Sequence, residues 1–573
     1  MELTTLIAAA RGNHPADLVI RGGRVVNVLT GEVYAADVAI IGDRIAGVGS
    51  GYEGREVIDA AGALVMPGFL DGHVHIESSM CSPGQFAQAV VPHGTTCVII
   101  DAHEIANVCG LPGLAFMLDD AARLPLDVYM MLPSCVPASP FESAKTVLKS
   151  TDLGPLLAKP QVLGMGEMMN FPGVLHQDPE VMAKLGFTNL LVDGHAPDLT
   201  GKDLCAYVAA GISSDHECRT VEEAMEKLRL GVHVMIREGS IARNLVDLLG
   251  AVTPTSQERC MFVTDDRHAD DLLHHGHIDN AVRKAIAHGM DPVLAVKLAT
   301  INCARYFQLD RVGAIAPGWQ ADIVLADGFE NLRIDTVIKS GRVVARQGRP
   351  LFCSEGVAPA EVTDTMRVAQ LDACSFRVPA PIEADSVRAR VIGVVPGQCW
   401  SHALERDLPA RHGEVLPDPS QDIAKIAVVE RHHATGNIGV GFVEGFGIRG
   451  GAIASTVAHD AHNLVVMGTN DADMRAAVEA LVQSQGGLCA VKDGQVVELL
   501  PLPIAGIMSD QPMPWVADRI EVLQAKTREA LGITVDHPYM TLAFLALSVI
   551  PELKLTDRGY IDVHRFEVVS VLA

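Results

Sequence analysis

The chain has 573 residues, 49% of them apolar and 20% charged, enough for several cores and too mixed for a disordered protein. Its formal charge is 45 − 70 = −25 with no Lys/Arg-rich run; such a surface repels phosphate backbones, which argues against a nucleic-acid partner and for a small neutral substrate. Twelve scattered cysteines without a CxxC pair predict reduced thiols in a cytoplasmic protein, not a disulfide scaffold.

The first residues, MELTTLIAAARGNH, carry Glu2 where a secretion signal has Lys or Arg. Alternating apolar residues and Gly turns over 17–49 predict strands. A matching piece returns at 318–325 and 336–344, where VIKSGRVVAR echoes VIRGGRVVNV. The two pieces are expected to be halves of one small β-sandwich, interrupted by an intervening domain.

Between them an apolar run, a polar end and a helix-like segment repeat. The runs end at His75, at Asp101 to His103, at Pro133 and Ser134, at Glu167, at His195, at His216, at Arg237 to Gly239, and at Asp265 and Asp266. SPGQFAQAVV, GLAFMLDDAAR, KDLCAYVAA, VEEAMEKLRL and IARNLVDLL read as helices. Eight such units predict an α/β fold, a TIM-like (β/α)8 barrel with its chemistry at the carboxyl ends of the strands. After Arg349 the stretch 350–381 is irregular and reads as a linker. Strands, a Gly-rich hairpin and helices follow to the end. The longest apolar stretch, 540–550, is too short to span a bilayer and is expected in a core, so no membrane partner is expected. Expected boundaries are 1–66 and 314–380 for the sandwich halves, 67–313 for the barrel and 381–573 for a carboxy-terminal α+β domain.

The stretch PGFLDGHVHIESSM (67–80) carries the chemistry. In a strand His73 and His75 project to one face, and two converging imidazoles make half of a transition-metal site. Strand ends add Glu167, His195, His216 and Asp265. These six side chains supply the N and O ligands a pair of divalent cations needs, with a bridging water. Asp266 is the weaker neighbour of Asp265, because successive strand residues point opposite ways. His274, His275 and His277 are expected to cap or face solvent. Two further clusters, Arg431-His432-His433 and HDAHN (459–463), look chemical, and HDAHN sits on a turn between two strands.

The stretch 67–80 resembles the first-strand metal motif of the amidohydrolase superfamily, and its ESSM tail looks like the adenine deaminase family. DAHEIANVCG (101–110), VDGHAPDLTGKDL (192–204), ISSDHE (212–217), MIREGS (235–240) and FVTDD (262–266) match the same family. The resemblance implies the barrel, the split sandwich and the carboxy-terminal domain. It makes Glu167 the bridging ligand where many amidohydrolases use a carboxylated lysine. It implies two divalent ions per subunit, Mn or Fe(II) favoured and Zn possible, and hydrolysis of adenine to hypoxanthine and ammonia. Asp265 would relay the proton. Glu77, His103 and Glu104 are candidates to protonate the ring, and Arg237, Glu238 and Ser240 to read the purine edge. The competing enzyme is a cyclic-amide hydrolase of the dihydroorotase or hydantoinase kind, which usually keeps the strand-four lysine. A homo-oligomer, dimer or higher, is expected.

Overall fold

A computed structural model describes residues 2–187, 190–354 and 358–573. Asn189, at the start of the fifth apolar run, and 355–357 of the expected linker lie outside the described residues.

The two look-alike segments belong to one sheet, nine strands among the described residues. Ala16–Asn27 pairs antiparallel with Glu32–Ile41 and parallel with Leu64–Pro67. Leu64–Pro67 pairs antiparallel with Ile323–Ala326, and Ile334–Lys339 and Arg342–Arg346 extend the sheet. Ile20, Val38, Ile40, Val65, Ile323 and Ile338, drawn from both segments, share one buried cluster. The chain therefore leaves this sheet at Pro67 and returns to it some 250 residues later.

What it builds in between is the barrel. Its strands are Phe69–His75, Thr95–Asp101, Asp127–Leu132, Val162–Met168, Leu191–Gly194, Ser214–Asp215, His233–Arg237, and Cys260–Val263 continued by Asp265–Asp266. Neighbours pair in parallel from first to fifth and from sixth to eighth. The Ser213 amide donates to Val192 O at 3.0 Å across the fifth and sixth. Asp265 and Asp266 pair with Val74 and His75, which closes the ring. Leu70, Cys97, Ile99, Met131, Met235 and Met261 fill the interior, as a packed barrel requires.

Helices Pro83–Val90, Leu111–Ala121, Gly201–Ala209 and Val221–Arg229 lie where the pattern predicts them. The last begins at Thr220, whose side chain accepts from the Glu223 amide, and its inner face carries Lys227, fully buried. The expected helix over 241–249 is corrected to Leu245–Leu248. A bridge between Glu238 and Arg243 folds the preceding residues back on the strand end, so Ile241 and Ala242 serve as cavity wall instead.

The carboxy-terminal part centres on a second sheet of nine strands among the described residues. In it, Ala452–Ser455 and Leu464–Gly468 are antiparallel neighbours, and HDAHN is the turn between them. Helix Met513–Leu531 packs nearby, and helix Pro538–Phe544 opens the buried stretch 540–550. Among the described residues no helix is long and apolar enough to cross a membrane.

Candidate active site

The carboxyl ends of the barrel strands bring His73, His75, Glu167, His195, His216 and Asp265 together, all buried. Glu167 is the hub. Its Oε1 lies 3.6 Å from His73 Nε2 and 3.2 Å from His75 Nε2. Its Oε2 lies 2.7 Å from His195 Nδ1 and 3.3 Å from His216 Nε2. One carboxylate thus faces the first-strand pair, His73 and His75, at one oxygen and His195 and His216 at the other, with His103 Nδ1 also 3.7 Å from Oε1, the arrangement of a bridging ligand. Asp265 Oδ1 sits 3.2 Å from His75 Nε2 and 3.7 Å from His73 Nε2. His73 Nε2 has no hydrogen-bond partner although it is buried, and an orphaned ring nitrogen aimed at two carboxylates is what a cation would satisfy. The residues fit a centre for divalent metal with N and O donors.

Burial alone would raise the pKa of Glu167, yet the surrounding His216 and His195 hold it well below the usual carboxylate range. Asp265 behaves alike: burial raises it, and the Arg237 guanidinium outweighs that and keeps it low. Burial would lower His75, but Asp265 and Glu167 hold it well above an ordinary imidazole.

Four buried aspartates sit beneath these ligands. Asp71 accepts from the His73 amide at 3.2 Å and also takes the Thr264 hydroxyl and His277 Nε2, tying the first strand to the eighth. Asp101 accepts from the Glu167 amide at 2.8 Å. Its carboxylate crosses the fourth strand where a Cβ on Gly166 would lie 1.9 Å from Oδ2, which is why GMGEM has Gly there. Asp193 takes the Tyr306 hydroxyl at 2.6 Å and the Ser214 hydroxyl at 2.8 Å. Asp215 accepts from the Ala196 amide at 2.8 Å and from Lys227 Nζ at 2.9 Å. His75 Nδ1–H donates to the Asp101 carbonyl at 2.9 Å, leaving Nε2 as the lone-pair nitrogen. Three of these aspartates precede a histidine by two: Asp71-Gly-His73, Asp101-Ala-His103 and Asp193-Gly-His195. That recurring D-x-H was a readable signal for a supporting shell.

Above the ligands is a small cavity lined both by barrel strand ends and by the carboxy-terminal part. His103 and Glu104 line it; Glu77 does not. Glu77 Oε1 instead accepts from the Ile105 amide at 3.3 Å, behind the helix His103–Cys109, and burial pushes its carboxyl up to about 7. Arg237 lines the cavity, but its guanidinium is engaged by Glu217 and by Asp265 Oδ2, the latter at 2.7 Å. Glu238 and Ser240 do not line it: Glu238 pairs with Lys284 at 2.8 Å, and Ser240 donates to Asp271. The fold-back at Arg243 thus turns the side chains proposed for the purine edge toward Lys284 and Asp271.

Asp266 also lines the cavity and accepts from the Ser78 hydroxyl. Strict alternation fails here because Asp265 has φ +58°, a left-handed step that breaks the two-residue period. Glu217, next to His216, is a further cavity carboxylate, close enough to His195 and His216 to join a ligand set. His277 is buried between Thr95 and Asp71, whereas His274 and His275 are exposed as expected. The remaining wall comes from beyond the barrel: Cys399, His459, Asp460, Phe544, Leu547 and Ile550.

Residues 64–344 match the model of the amidohydrolase family, and residues 398–567 match that of the adenine deaminase C-terminal domain. Over 568 residues the chain is 49% identical to "Adenine deaminase 2" of Carboxydothermus hydrogenoformans, covering 99% of both chains. It is 49% identical over 573 residues to the adenine deaminase of Nitratidesulfovibrio vulgaris, and 46% over 568 residues to that of Dehalococcoides mccartyi, again with 99% of each chain covered. Among solved structures, the N-acetyl-D-glucosamine-6-phosphate deacetylase of Mycobacterium smegmatis is similar at 20% identity and TM-score 0.46, over 57% of this chain and 100% of that one.

Proposed function

The chain belongs to the adenine deaminase family, and from that premise we propose that it hydrolyses adenine to hypoxanthine and ammonia at the centre built around Glu167. The observation that carries the reading is the split of Glu167 between two imidazole pairs, one pair at each oxygen. Two divalent ions, which the N and O donors leave open among Mn, Fe(II) and Zn and the family resemblance narrows to Mn or Fe(II), would be held by His73, His75, Glu167, His195, His216 and Asp265 and would supply a water acidic enough to attack at neutral pH.

The chain's own groups do the rest. Asp265 Oδ1 faces the imidazole pair of the first strand, so it stands ready to take a proton from the attacking water. It returns that proton to the departing amine as the C6–N bond breaks. Arg237 holds the carboxylate of Asp265 in place from the other side. His103 lies on the cavity wall as the candidate to give the ring nitrogen its proton, while Glu104, both of whose oxygens face imidazoles of the carboxy-terminal turn, is placed to accept rather than to donate. Phe544, Leu547 and Ile550 exclude bulk water above the base.

The twelve free thiols fit a reducing, cytoplasmic setting. A cyclic-amide hydrolase is not favoured: Lys184, the nearest lysine after the fourth strand, has its Nζ on the Ser134 carbonyl at 2.7 Å. The test is ammonia release by Mn-loaded protein from adenine, adenosine and a panel of cyclic amides. Turnover of adenine alone is expected. Turnover of a cyclic amide with adenine inert would overturn the reading.

A further inference from the structure

Two motifs outside the barrel, Arg431-His432-His433 and HDAHN, form one device. Arg431 is fully buried. Its Nε donates to the His462 carbonyl and its Nη2 to Ala505 O at 3.0 Å, while its amide donates to Asn463 Oδ1 at 3.3 Å. His432 Nε2–H donates to Ala461 O at 2.7 Å. Asn463 Nδ2 reaches across to Ser143 O at 2.7 Å, on the barrel side. The turn is thus fixed from both sides, and it pushes three side chains into the cavity region.

Two of them are engaged. His459 Nδ1 lies 2.6 Å from Glu104 Oε1, and His462 Nε2 contacts Glu104 Oε2. The third is not. Asp460 is 2% exposed, lines the cavity, and its Oδ2 has no hydrogen-bond partner. A buried acceptor left unpaired is costly and persists where a ligand supplies the donor. His103 alone separates Asp460 from the hub: its Nδ1 is 3.7 Å from Glu167 Oε1 and its Nε2 is 3.7 Å from Asp460 Oδ2. A purine laid along His103 with its reacting carbon toward Glu167 and Asp265 turns its five-membered ring toward Asp460.

We propose that Asp460, supplied by the carboxy-terminal turn, is a substrate-binding residue whose free carboxylate oxygen accepts the imidazole-ring N–H of the free base. This rests on adenine as substrate. It gives the site a reason to prefer a base over a nucleoside, whose sugar replaces that hydrogen. The contact is made in ground state and transition state alike, so it acts on KM rather than on kcat.

The test uses the full-length, metal-loaded protein and its Asp460→Asn and Asp460→Ala variants. It reads steady-state kinetics with adenine, metal content, and equilibrium binding of purine, 7-methylpurine and 9-methylpurine. Expected for both variants is a KM raised about 10- to 100-fold, the size of one charge-assisted hydrogen bond, with kcat changed only a few-fold and metal content unchanged. Wild-type protein should bind purine more tightly than either methylpurine, and the variants should lose that preference. This arm needs no variant to fold. Equal wild-type affinity for all three purines, an unchanged KM, or loss of metal on substitution would each overturn the assignment. If wild-type protein binds purine in an Asp460-dependent way yet releases no ammonia from adenine, the contact stands and the proposed reaction falls.

Discussion

The molecule holds two buried clusters of histidine and carboxylate side by side, and they are wired differently. In the barrel cluster a single glutamate faces four imidazoles, and ring nitrogens such as His73 Nε2 are left unpaired. In the turn cluster each oxygen of Glu104 is bonded by one imidazole of the turn, with His103 Nε2 also 3.5 Å from Oε1. The first has ring nitrogens to spare beside its carboxylates and suits a cation; in the second the carboxylate of Glu104 is spent on imidazoles, which suits holding a side chain still. Their supports differ too. Titratable aspartates brace the barrel cluster, whereas the turn hangs on carbonyls gripped by Arg431.

The largest test of that difference is Glu167→Gln. It keeps the shape but removes the charge facing four imidazoles. Partners one step removed from a metal cost about 10–100-fold when lost, so loss of the hub should leave activity at background and strip the metal. Metal analysis with an ammonia assay reads it; two ions retained with full turnover would erase the distinction between the clusters. Next is Asp265→Asn, which keeps an oxygen for weak coordination but cannot take the proton. Turnover should fall about 10²–10⁴-fold with metal content falling less. Asp266→Asn is expected to cost less, yet measurably, since its carboxylate shares the cavity and takes the Ser78 hydroxyl. If Asp266→Asn is dead and Asp265→Asn active, the proton relay belongs to the neighbour.

The barrel cluster was legible because each ligand stands at the end of an apolar run. A period of two puts His73 and His75 on one face, and each strand end in turn points at the same axis. Regular geometry turns spacing into position. The turn cluster was not legible in the same way. HDAHN could be placed between two strands, but nothing local says that residue 459 meets residue 104. Even within the barrel, periodicity failed where the backbone departs from the strand, at Asp265 with φ +58° and at the fold-back of Glu238 onto Arg243. The sheet shared by 17–67 and 323–346 was readable from the echo of one segment in the other, although the echoing strands are not neighbours: Leu64–Pro67 and Ile323–Ala326 lie between them.

The aspartate supports of the barrel predict an acid weakness there. Burial would raise the pKa of Asp215, but Lys227 outweighs it and the carboxyl falls to about 2. A folded pKa below the unfolded value stabilises above pH ~4 and loses that contribution as pH falls toward 2. The share from this pair is ~2 kcal/mol. Thermal unfolding between pH 5 and 2 should show the loss, and Lys227→Met should flatten that part of the profile while destabilising at neutral pH, because it strands a buried carboxylate. An acid profile identical in wild type and variant would show that the pair does not brace the sixth strand.

The smallest effect expected, and the most discriminating, is that of His462→Asn. His462 Nδ1 accepts from the Ala458 amide at 3.0 Å, while Nε2 contacts Glu104. An asparagine amide oxygen falls where Nδ1 sits, so the turn keeps its internal bond, and the shorter side chain no longer reaches Glu104. The residue has φ +52°, a conformation asparagine tolerates better than most side chains. The substitution thus cuts one tie to Glu104 and spares the fold. His459 still holds the other oxygen, so Glu104 is loosened rather than freed. One hydrogen bond to a charged group is worth about 1.5–3 kcal/mol, and with half the clamp intact the loss in kcat/KM should be at the low end, ~10-fold. Metal content should not change, because neither His462 nor His459 faces Glu167. If metal is lost along with activity, the two clusters are one unit and the turn belongs to the metal centre after all.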